Sequence, residues 1–457
     1  MKRLKKALFI GLAALTTVAM LTACSGGDKK DDKAADNKTE QTADAGTGKV
    51  YYLNFKPEVE ETWNKIAQTY KEETGVDVKV ETAASGQYEP TLKAEITKDD
   101  APTLFQINGP VGYQNWKDYT LDLKDSEIYS HLLNKDMAVS TDEGVFGIPY
   151  VVEGYGIIYN DAIMQKYIAL DGAKIKSVDE INNFAKLKEV VEDMQAKKAD
   201  LGIDGVFAAT SLAPGEDWRW QTHLANVPVY YEYRDDKVKN LDEIKFTYSD
   251  NYKNIFDLYV TNSTVDPSTL TGKTVTDSMA EFALGKAAMV QNGNWAWGQI
   301  SGVEGNTVKA EDVKFLPIYT GVSGEEKQGI CAGTENFFSI NSQAKPEDQK
   351  ASLDFVNWLF TSEKGKEYVT KDLGFITPFD TFTEAESPDD PLAKEVIKYM
   401  SNQDLYNIDW NFTSFPSQAF KDAFGQSLGQ YTSGNMTWDD VKALFINEWK
   451  AEKEMAQ

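Results

Sequence analysis

The stretch VYYLNFKPEVEETWNKIAQTYKEETGVDVKVET, residues 50–82, decides the fold. Val50–Leu53 is an apolar run of the kind found in a buried strand. Residues 58–73 place their apolar side chains on one face at helical spacing, and Gly75 follows as a C-terminal cap. Valines then alternate with charged residues over 76–80, which indicates a half-buried strand. The stretch therefore predicts a strand, a helix and a second strand.

The same alternation continues for one more unit. A short helix that carries Leu92 and Ile96 precedes a predicted strand over Thr103–Ile107. The order β-α-β-α-β predicts a parallel, doubly wound sheet. Because ligands of such sheets bind beyond the carboxyl ends of the strands, Asn54–Pro57 and Asn108–Pro110 are candidate ligand loops.

The remainder of the chain is mixed α/β. Residues 147–160 form a long extended stretch interrupted by glycines, and helical patterns occupy 178–197, 346–360 and 438–453. The chain is longer than one typical core supports, so two domains are expected.

The N-terminus has the pattern of an export signal. Met1–Lys6 carries four positive charges, Ala7–Leu21 is apolar, and Cys24 follows a small residue. We predict a signal peptide over 1–24, since the apolar run is shorter than the roughly 20 residues of a membrane span. The cut site resembles the bacterial lipobox, which implies lipidation of Cys24; an ordinary secreted protein with an incidental cysteine is the alternative. Residues 25–48 have almost nothing to bury and are predicted to form a disordered tether.

The charge and the cysteine content of the chain argue against nucleic-acid partners and against a disulfide framework. The formal net charge is −25, and removal of the four positive residues of the signal takes it to −29. Such an acidic chain repels phosphate backbones, so no nucleic-acid partner is expected. Cys331 is the one cysteine besides Cys24, so a disulfide framework within the mature chain is not expected, and Cys331 is predicted to pack as a small apolar residue.

Motifs for metal or nucleophilic chemistry are missing from the sequence. The two histidines are not part of an HExxH pattern, and neither a cysteine cluster, an EF-hand loop nor a GxSxG elbow occurs. Gly272-Lys273-Thr274 resembles the end of a phosphate loop, but Pro267 stands where the upstream glycine should be. We therefore expect no metal, no cofactor and no catalytic residue.

Aromatic residues cluster with polar ones at three places: Trp218-Arg219-Trp220, Trp295-Ala296-Trp297 and Trp410-Asn411-Phe412. Most aromatic side chains are core residues. Flat rings also stack on the apolar faces of sugars, however, while carboxylates and amides bind the hydroxyl rim. The clusters therefore favour a carbohydrate ligand.

Four stretches in this order resemble the extracellular solute-binding proteins of ABC importers, in the branch that includes maltose-binding protein. They are Tyr52–Glu81, 148–160, Phe282–Trp297 and 339–359. The resemblance implies two doubly wound α/β lobes joined by crossing strands, the type II periplasmic-binding-protein-like fold, with the ligand cleft between the lobes.

The lobe boundaries follow from the same resemblance. The N-terminal lobe is predicted from 49–152 with 333–376, and the C-terminal lobe from 153–332 with 377–457. The chain is predicted to cross between them near 151–154, 329–333 and 375–380.

The resemblance also implies a function. We expect a monomeric, lipid-anchored (palmitate-bearing) protein on the extracellular face of the cytoplasmic membrane. It binds a carbohydrate, an oligosaccharide, and delivers it by lobe closure to the permease subunits of an ABC importer. The alternatives are the same fold binding a peptide, polyamine or other solute, and a secreted glycoside-active enzyme.

Candidate ligand-binding residues are carried over position by position. Glu153, in the first crossing, corresponds to a sugar-hydroxyl acceptor, with a hinge-surface carboxylate as the alternative. Trp295 aligns with a stacking tryptophan, with a core role as the alternative. Glu216 and Trp218 match a looser acid–aromatic pattern, and Lys56 matches a lysine in type.

Three further candidates rest on position. Trp410 is the candidate for a late aromatic that faces the cleft, and Glu335 follows the second crossing. Asn108 stands after the third strand, where the maltose protein has a different polar set. This departure makes maltose itself a doubtful ligand.

Overall fold

A computed structural model describes residues 48–84 and 86–455 of the chain, without the side chain of Glu384. The predicted signal peptide (1–24), nearly all of the predicted tether (25–48) and the predicted lipidation site Cys24 lie outside the described residues. Within them, no helix combines the length and the hydropathy that crossing a bilayer requires.

The strands of the described residues alternate with helices along most of the chain. They are β1 Val50–Asn54, β2 Val78–Thr82, β3 Leu104–Asn108, β4 Val139–Thr141, β5 Gly144–Pro149, β6 Glu153–Asn160, β7 Gly205–Phe207, β8 Ala287–Gly293, β9 Val313–Leu316, β10 Gln328–Gly333, β11 Asn336–Ile340 and β12 Tyr406–Asp409.

The α-helices cover the faces of the sheets. They are α1 Glu60–Thr74, α2 Tyr88–Glu95, α3 Gly109–Trp116, α4 Glu127–Ser130, α5 Asp161–Ile168, α6 Phe184–Ala196, α7 Lys198–Leu201, α8 Ala225–Asp236, α9 Ser249–Thr261, α10 Val275–Ala283, α11 Ala296–Ser301, α12 Pro346–Thr361, α13 Glu363–Glu367, α14 Pro391–Ser401, α15 Gln418–Thr432 and α16 Trp438–Met455.

The first sheet has the strand order β2-β1-β3-β11-β5-β4. Strand β1 pairs in parallel with β2 and β3, which confirms the predicted β-α-β-α-β unit. The whole sheet is mixed rather than parallel, because β11 runs antiparallel between β3 and β5. Asn336 lies opposite Asn108 and Ile340 opposite Leu104, so β11 returns from a distant part of the chain in the reverse direction.

The second sheet has the order β12-β10-β6-β8-β7, and β9 pairs with β6. Every residue of β6 is buried, as expected for the centre of a sheet covered on both faces. We call the part of the chain packed on the first sheet the first lobe and the part packed on the second sheet the second lobe. The confirmed fold is therefore two α/β lobes.

The chain passes between the two sheets at three places. Residues 150–152 join β5 to β6, and residues 334–335 join β10 to β11. The third passage begins near Ile376, which bridges to Val152. Phe379 and Phe382 still pack on the core of the first lobe. The return to the second lobe therefore comes later in the chain than residue 377, where the sequence placed it, and exact lobe bounds stay a prediction.

One predicted helix is interrupted. The pattern over 178–197 gives a single turn at Val178–Glu180 and then α6, which begins at Phe184. The physical reason is a second cap: the Asn183 side chain accepts a hydrogen bond from the Lys186 N–H, while Ser177 caps the preceding turn.

Candidate ligand-binding site between the lobes

A cavity of about 350 Å³ opens between the lobes, a size typical of small-molecule sites. Glu58 and Thr62 line it from the first lobe. Trp295 and Gln299 line it from the second lobe, and residues 371–375 of the first lobe close one side. The cavity therefore lies where a ligand would touch both lobes.

Trp295 lines this cavity and carries an indole donor without a partner among the described residues. It follows β8 and precedes α11, and its side chain is half-buried. Its indole Nε1 has no hydrogen-bond partner among the described residues, and neither has Gln299 Oε1. Because buried polar atoms are normally hydrogen-bonded, these two atoms mark places where a ligand's hydroxyl groups would complete the bonding.

The three predicted aromatic residues come together around His223. The Trp295 ring centroid lies 5.8 Å from Trp218, 5.6 Å from His223 and 6.4 Å from Trp410. Trp410 is almost fully buried against Tyr155. These side chains form one aromatic wall on the second lobe.

His223 was not found from the sequence, because a lone histidine carries no spacing signal. It stacks on Phe412 at 4.8 Å between ring centroids. Burial, with the charge of Arg219 adding to it, holds the pKa of His223 well below its usual range. The ring is therefore neutral at physiological pH and contributes to the aromatic wall.

Lys56 and Glu153 form a buried ion pair that joins the lobes. Lys56 follows β1 in the first lobe, Glu153 begins β6 in the second, and their exposed fractions are 5% and 2%. Lys56 Nζ donates to both carboxylate oxygens of Glu153, at 2.8 and 3.0 Å. The carboxylate that the sequence assigned to a sugar hydroxyl is therefore already engaged by a cation.

The electrostatics of this pair reflect its burial. Burial lowers the pKa of Lys56, but the carboxylates of Glu153 and Glu58 outweigh it and the pKa lies above its ordinary value. Burial raises the pKa of Glu153, and the attraction of Lys56 opposes it. Lys56 Nζ is also 3.8 Å from Glu58 and 5.8 Å from the Trp295 ring centroid, so the pair adjoins the aromatic wall.

Glu335 lies in the short passage between β10 and β11. Burial raises its pKa to about 7, with Lys56 opposing the shift. Lys421 of α15 is a cation whose pKa burial lowers and Glu335 raises. Asn108 ends β3 and is partly exposed, opposite Asn336 in the sheet. Asn108 and Glu335 thus lie close to the passages between the lobes, and neither is among the residues that line the cavity.

Glu216 has a structural partner. Its Oε2 accepts a hydrogen bond of 2.5 Å from the backbone N–H of Val275, the first residue of α10. A carboxylate in this position satisfies an otherwise free donor and matches the positive end of the helix dipole. The predicted ligand-binding role for Glu216 thus competes with a helix-capping role.

Asn294 was also missed, although it stands next to Trp295 in the sequence. Its Oδ1 accepts from the Gly154 N–H at 2.9 Å, and its own N–H donates to the Gly154 carbonyl at 3.0 Å. These two bonds hold the end of β8 against the start of β6, directly before Trp295.

The described residues contain no group of three or more histidine, cysteine, aspartate or glutamate side chains that could hold a metal ion. The site therefore offers aromatic faces, free donors and acceptors, and a few charges.

Comparison with known proteins identifies the family. The sequence pattern of the bacterial extracellular solute-binding proteins matches residues 65–395, well over half of the chain. This chain belongs to that family.

Relatives of this solute-binding protein share most of its length. The multiple sugar-binding protein of Streptococcus mutans serotype c (strain ATCC 700610 / UA159) is 24% identical over 415 residues, 86% of this chain and 87% of the relative. The solute-binding protein RafE in complex with raffinose superimposes with a TM-score of 0.66 at 20% identity, covering 88% of this chain and 100% of RafE. Maltose-bound MalE3 of T. maritima gives 0.63 at 17% identity, covering 88% and 99%. These structures share the two-lobed fold.

Proposed function

We propose that this solute-binding protein binds a carbohydrate, an oligosaccharide, and releases it unchanged. The observation that carries the proposal is Trp295, whose half-buried ring and unpartnered Nε1 line a cavity that both lobes share. A sugar needs both features, since its C–H faces stack on a ring and its hydroxyls bind donors and acceptors.

The relatives support this choice of ligand. One is named for binding multiple sugars, and two solved structures hold raffinose and maltose. Peptides and polyamines remain the alternative ligands, because the acidic chain would attract cations.

We propose that ligand binding closes the lobes. The two lobes touch at Gly86 and Gly215, where a β-carbon added to Gly86 would lie 2.8 Å from the Gly215 carbonyl oxygen. We expect such a contact to be lost when the lobes separate, so a ligand that bridges the lobes would shift the population toward the closed form. The closed form would then deliver the sugar to the permease subunits of an ABC importer.

The location of the protein rests on the sequence. A lipid anchor at Cys24 would hold a monomer on the extracellular face of the cytoplasmic membrane. Metabolic labelling with a fatty-acid analogue tests the anchor. Incorporation into the wild-type chain and none into Cys24→Ala is the expected result.

Thermal unfolding of the mature chain tests the ligand class. The panel contains mono- and oligosaccharides, amino acids, peptides and polyamines. A ligand at 1,000 times its dissociation constant should stabilise the folded state by about 4 kcal/mol. Stabilisation by one class of sugar supports the proposal, and stabilisation by peptides or amines alone contradicts it.

A catalytic function predicts a different result. A glycoside-active enzyme would release reducing sugar from the oligosaccharide that stabilises it. We expect the bound sugar to be recovered intact after prolonged incubation, and cleavage would overturn the assignment as a binding protein.

A further inference from the structure

Arg219 is a buried cation that lacks a partner. It follows Trp218 and begins the short helix Arg219–Leu224, and only 2% of its surface is exposed. Neither Nε nor Nη1 of its guanidinium has a hydrogen-bond partner among the described residues. Removing a charge from water without a partner is costly, so buried arginines are normally paired.

The guanidinium lies behind the aromatic wall of the site. Its central carbon is 3.8 Å from the Trp218 ring centroid, and the Trp218 ring is 5.8 Å from Trp295, which lines the cavity. Stacking on tryptophan compensates part of the lost hydration. It leaves the N–H groups of Nε and Nη1 without acceptors among the described residues.

The nearest acids do not fill this role. Burial lowers the pKa of Arg219 to about 9, while the charges of Glu216 and Glu58 act in the opposite direction. Glu216 already accepts from the N–H of Val275. Glu58 is 3.8 Å from Lys56, across the cavity in the first lobe. Arg219 therefore stays charged at neutral pH and lies against the Trp218 ring of the second lobe.

We propose that Arg219 binds a carboxylate of the ligand, so that the preferred ligand is an acidic oligosaccharide containing a uronic acid. This inference rests on the proposed carbohydrate function. The planar guanidinium fork matches the two oxygens of a carboxylate. A uronic acid carries that carboxylate on a sugar ring, whose apolar face can stack on the neighbouring tryptophans.

Titration calorimetry on the mature chain tests the proposal. The probes are oligosaccharides of two to four sugars that contain galacturonic or glucuronic acid, each paired with its neutral counterpart. The wild-type protein should bind an acidic member at least about 10-fold more tightly than its neutral counterpart, since only the acidic member can form a charge-assisted hydrogen bond with the guanidinium. This preference should shrink as salt is raised.

Arg219→Gln should remove the preference. We expect acidic sugars to lose about 10-fold or more in affinity and neutral sugars less than about 3-fold. The melting temperature of the unliganded variant should stay equal or rise, because an unpaired buried charge has been removed; a merely structural arginine would lower it. Arg234→Gln is the matched control, since Arg234 is a surface residue that pairs with Asp235.

The possible results distinguish a failure of the role of Arg219 from a failure of the carbohydrate function. Neutral sugars bound as tightly as acidic ones overturn the role of Arg219 and leave the carbohydrate function in place. Failure of every sugar, neutral or acidic, overturns the proposed function and this inference with it. The preference of the wild-type protein for acidic over neutral sugars is measured without any variant. The proposal can therefore be refuted even if Arg219→Gln fails to fold.

Discussion

At the residue scale, Trp295 differs from the fully buried Trp220 both in its exposure and in its hydrogen bonding. Trp220 donates its Nε1 to the Ser211 carbonyl at 2.9 Å and is fully buried. Trp295 keeps its Nε1 free beside the cavity. The sequence alone does not separate the two tryptophans, because the hydrogen-bond partner of an indole N–H depends on tertiary contacts.

Trp295→Ala should weaken ligand binding 10-fold or more. A buried stacking ring contributes on the order of 1–3 kcal/mol, which corresponds to this loss. Calorimetry with the stabilising sugar is the measurement. Trp358→Ala is the matched control, because Trp358 is half-buried on α12 and donates to Glu73, far from the cavity. Unchanged affinity in a folded Trp295→Ala variant would remove Trp295 from the site.

Glu335 should make the stability of the unliganded protein depend on pH. Its pKa is about 7 in the folded chain because burial raises it from the ordinary value of 4.5. Between these values the folded state holds a proton that the unfolded state has lost. The contribution of Glu335 to the free energy of unfolding therefore falls as pH rises from about 4.5 to 7.

Glu335→Gln removes this dependence. We expect the variant to gain stability relative to the wild type when both are moved from pH 5 to pH 8, as measured by urea unfolding. Lys56, Glu153 and Lys421 face the carboxyl and are coupled to it, so the difference between the two proteins reports Glu335 together with the effect of its charge on these neighbours. The same pH dependence in both proteins would refute the shift.

Lys56→Met should destabilise the protein by about 3 kcal/mol or more, because it leaves the carboxylate of Glu153 buried without a cation. The double variant Lys56→Met, Glu153→Gln should recover most of the loss in urea unfolding at neutral pH. Lys450→Met is the surface control, because its exposed pair with Glu243 should contribute little to stability. A double variant as unstable as the single one would argue against the pair.

At the element scale, the local pattern specified strands and helices well where caps and apolar periodicity agree. Helix α1 ends at Thr74 and Gly75 adopts the left-handed conformation with φ 78°, as the sequence predicted. Strand β2 begins at Val78 rather than Val76. The break before α6 was missed because the capping asparagine lies inside an otherwise helical pattern.

Gly86→Ala should impair lobe closure. The added β-carbon would meet the Gly215 carbonyl oxygen at 2.8 Å, and such overpacking costs about 1–3 kcal/mol. Ligand affinity should fall by about 10-fold as a result. Gly75→Ala is the control, since Gly75 has a similar positive φ of 78° and open space around it.

Both glycine variants share the backbone strain of a left-handed alanine, about 1 kcal/mol. Their unliganded proteins should therefore lose similar stability, while affinity falls in Gly86→Ala alone. Equal affinities in the two variants would show that the contact between Gly86 and Gly215 does not govern closure.

At the scale of the whole molecule, the two-lobed α/β fold could be predicted, but the mixed first sheet could not. The four stretches that resemble the solute-binding family indicate the order of strands and helices along the chain. The direction of a strand within its sheet depends on pairing between residues that are distant in the sequence. Ile340 lies beside Leu104 with nothing local to indicate it. The candidate site was predictable as three aromatic clusters, while the ion pair between Lys56 and Glu153 depends on how the lobes meet.

The position of β11 has a consequence for biogenesis. This strand separates β3 from β5, so the first sheet lacks its middle until residues 336–340 have left the ribosome. Before then both neighbours present unpaired edges, which are sites of aggregation, and long-range pairing of this kind is slow. We therefore expect the first sheet to remain incomplete until β11 has been synthesised. Truncation anywhere before β11 should leave the first lobe without the strand that joins β3 to β5.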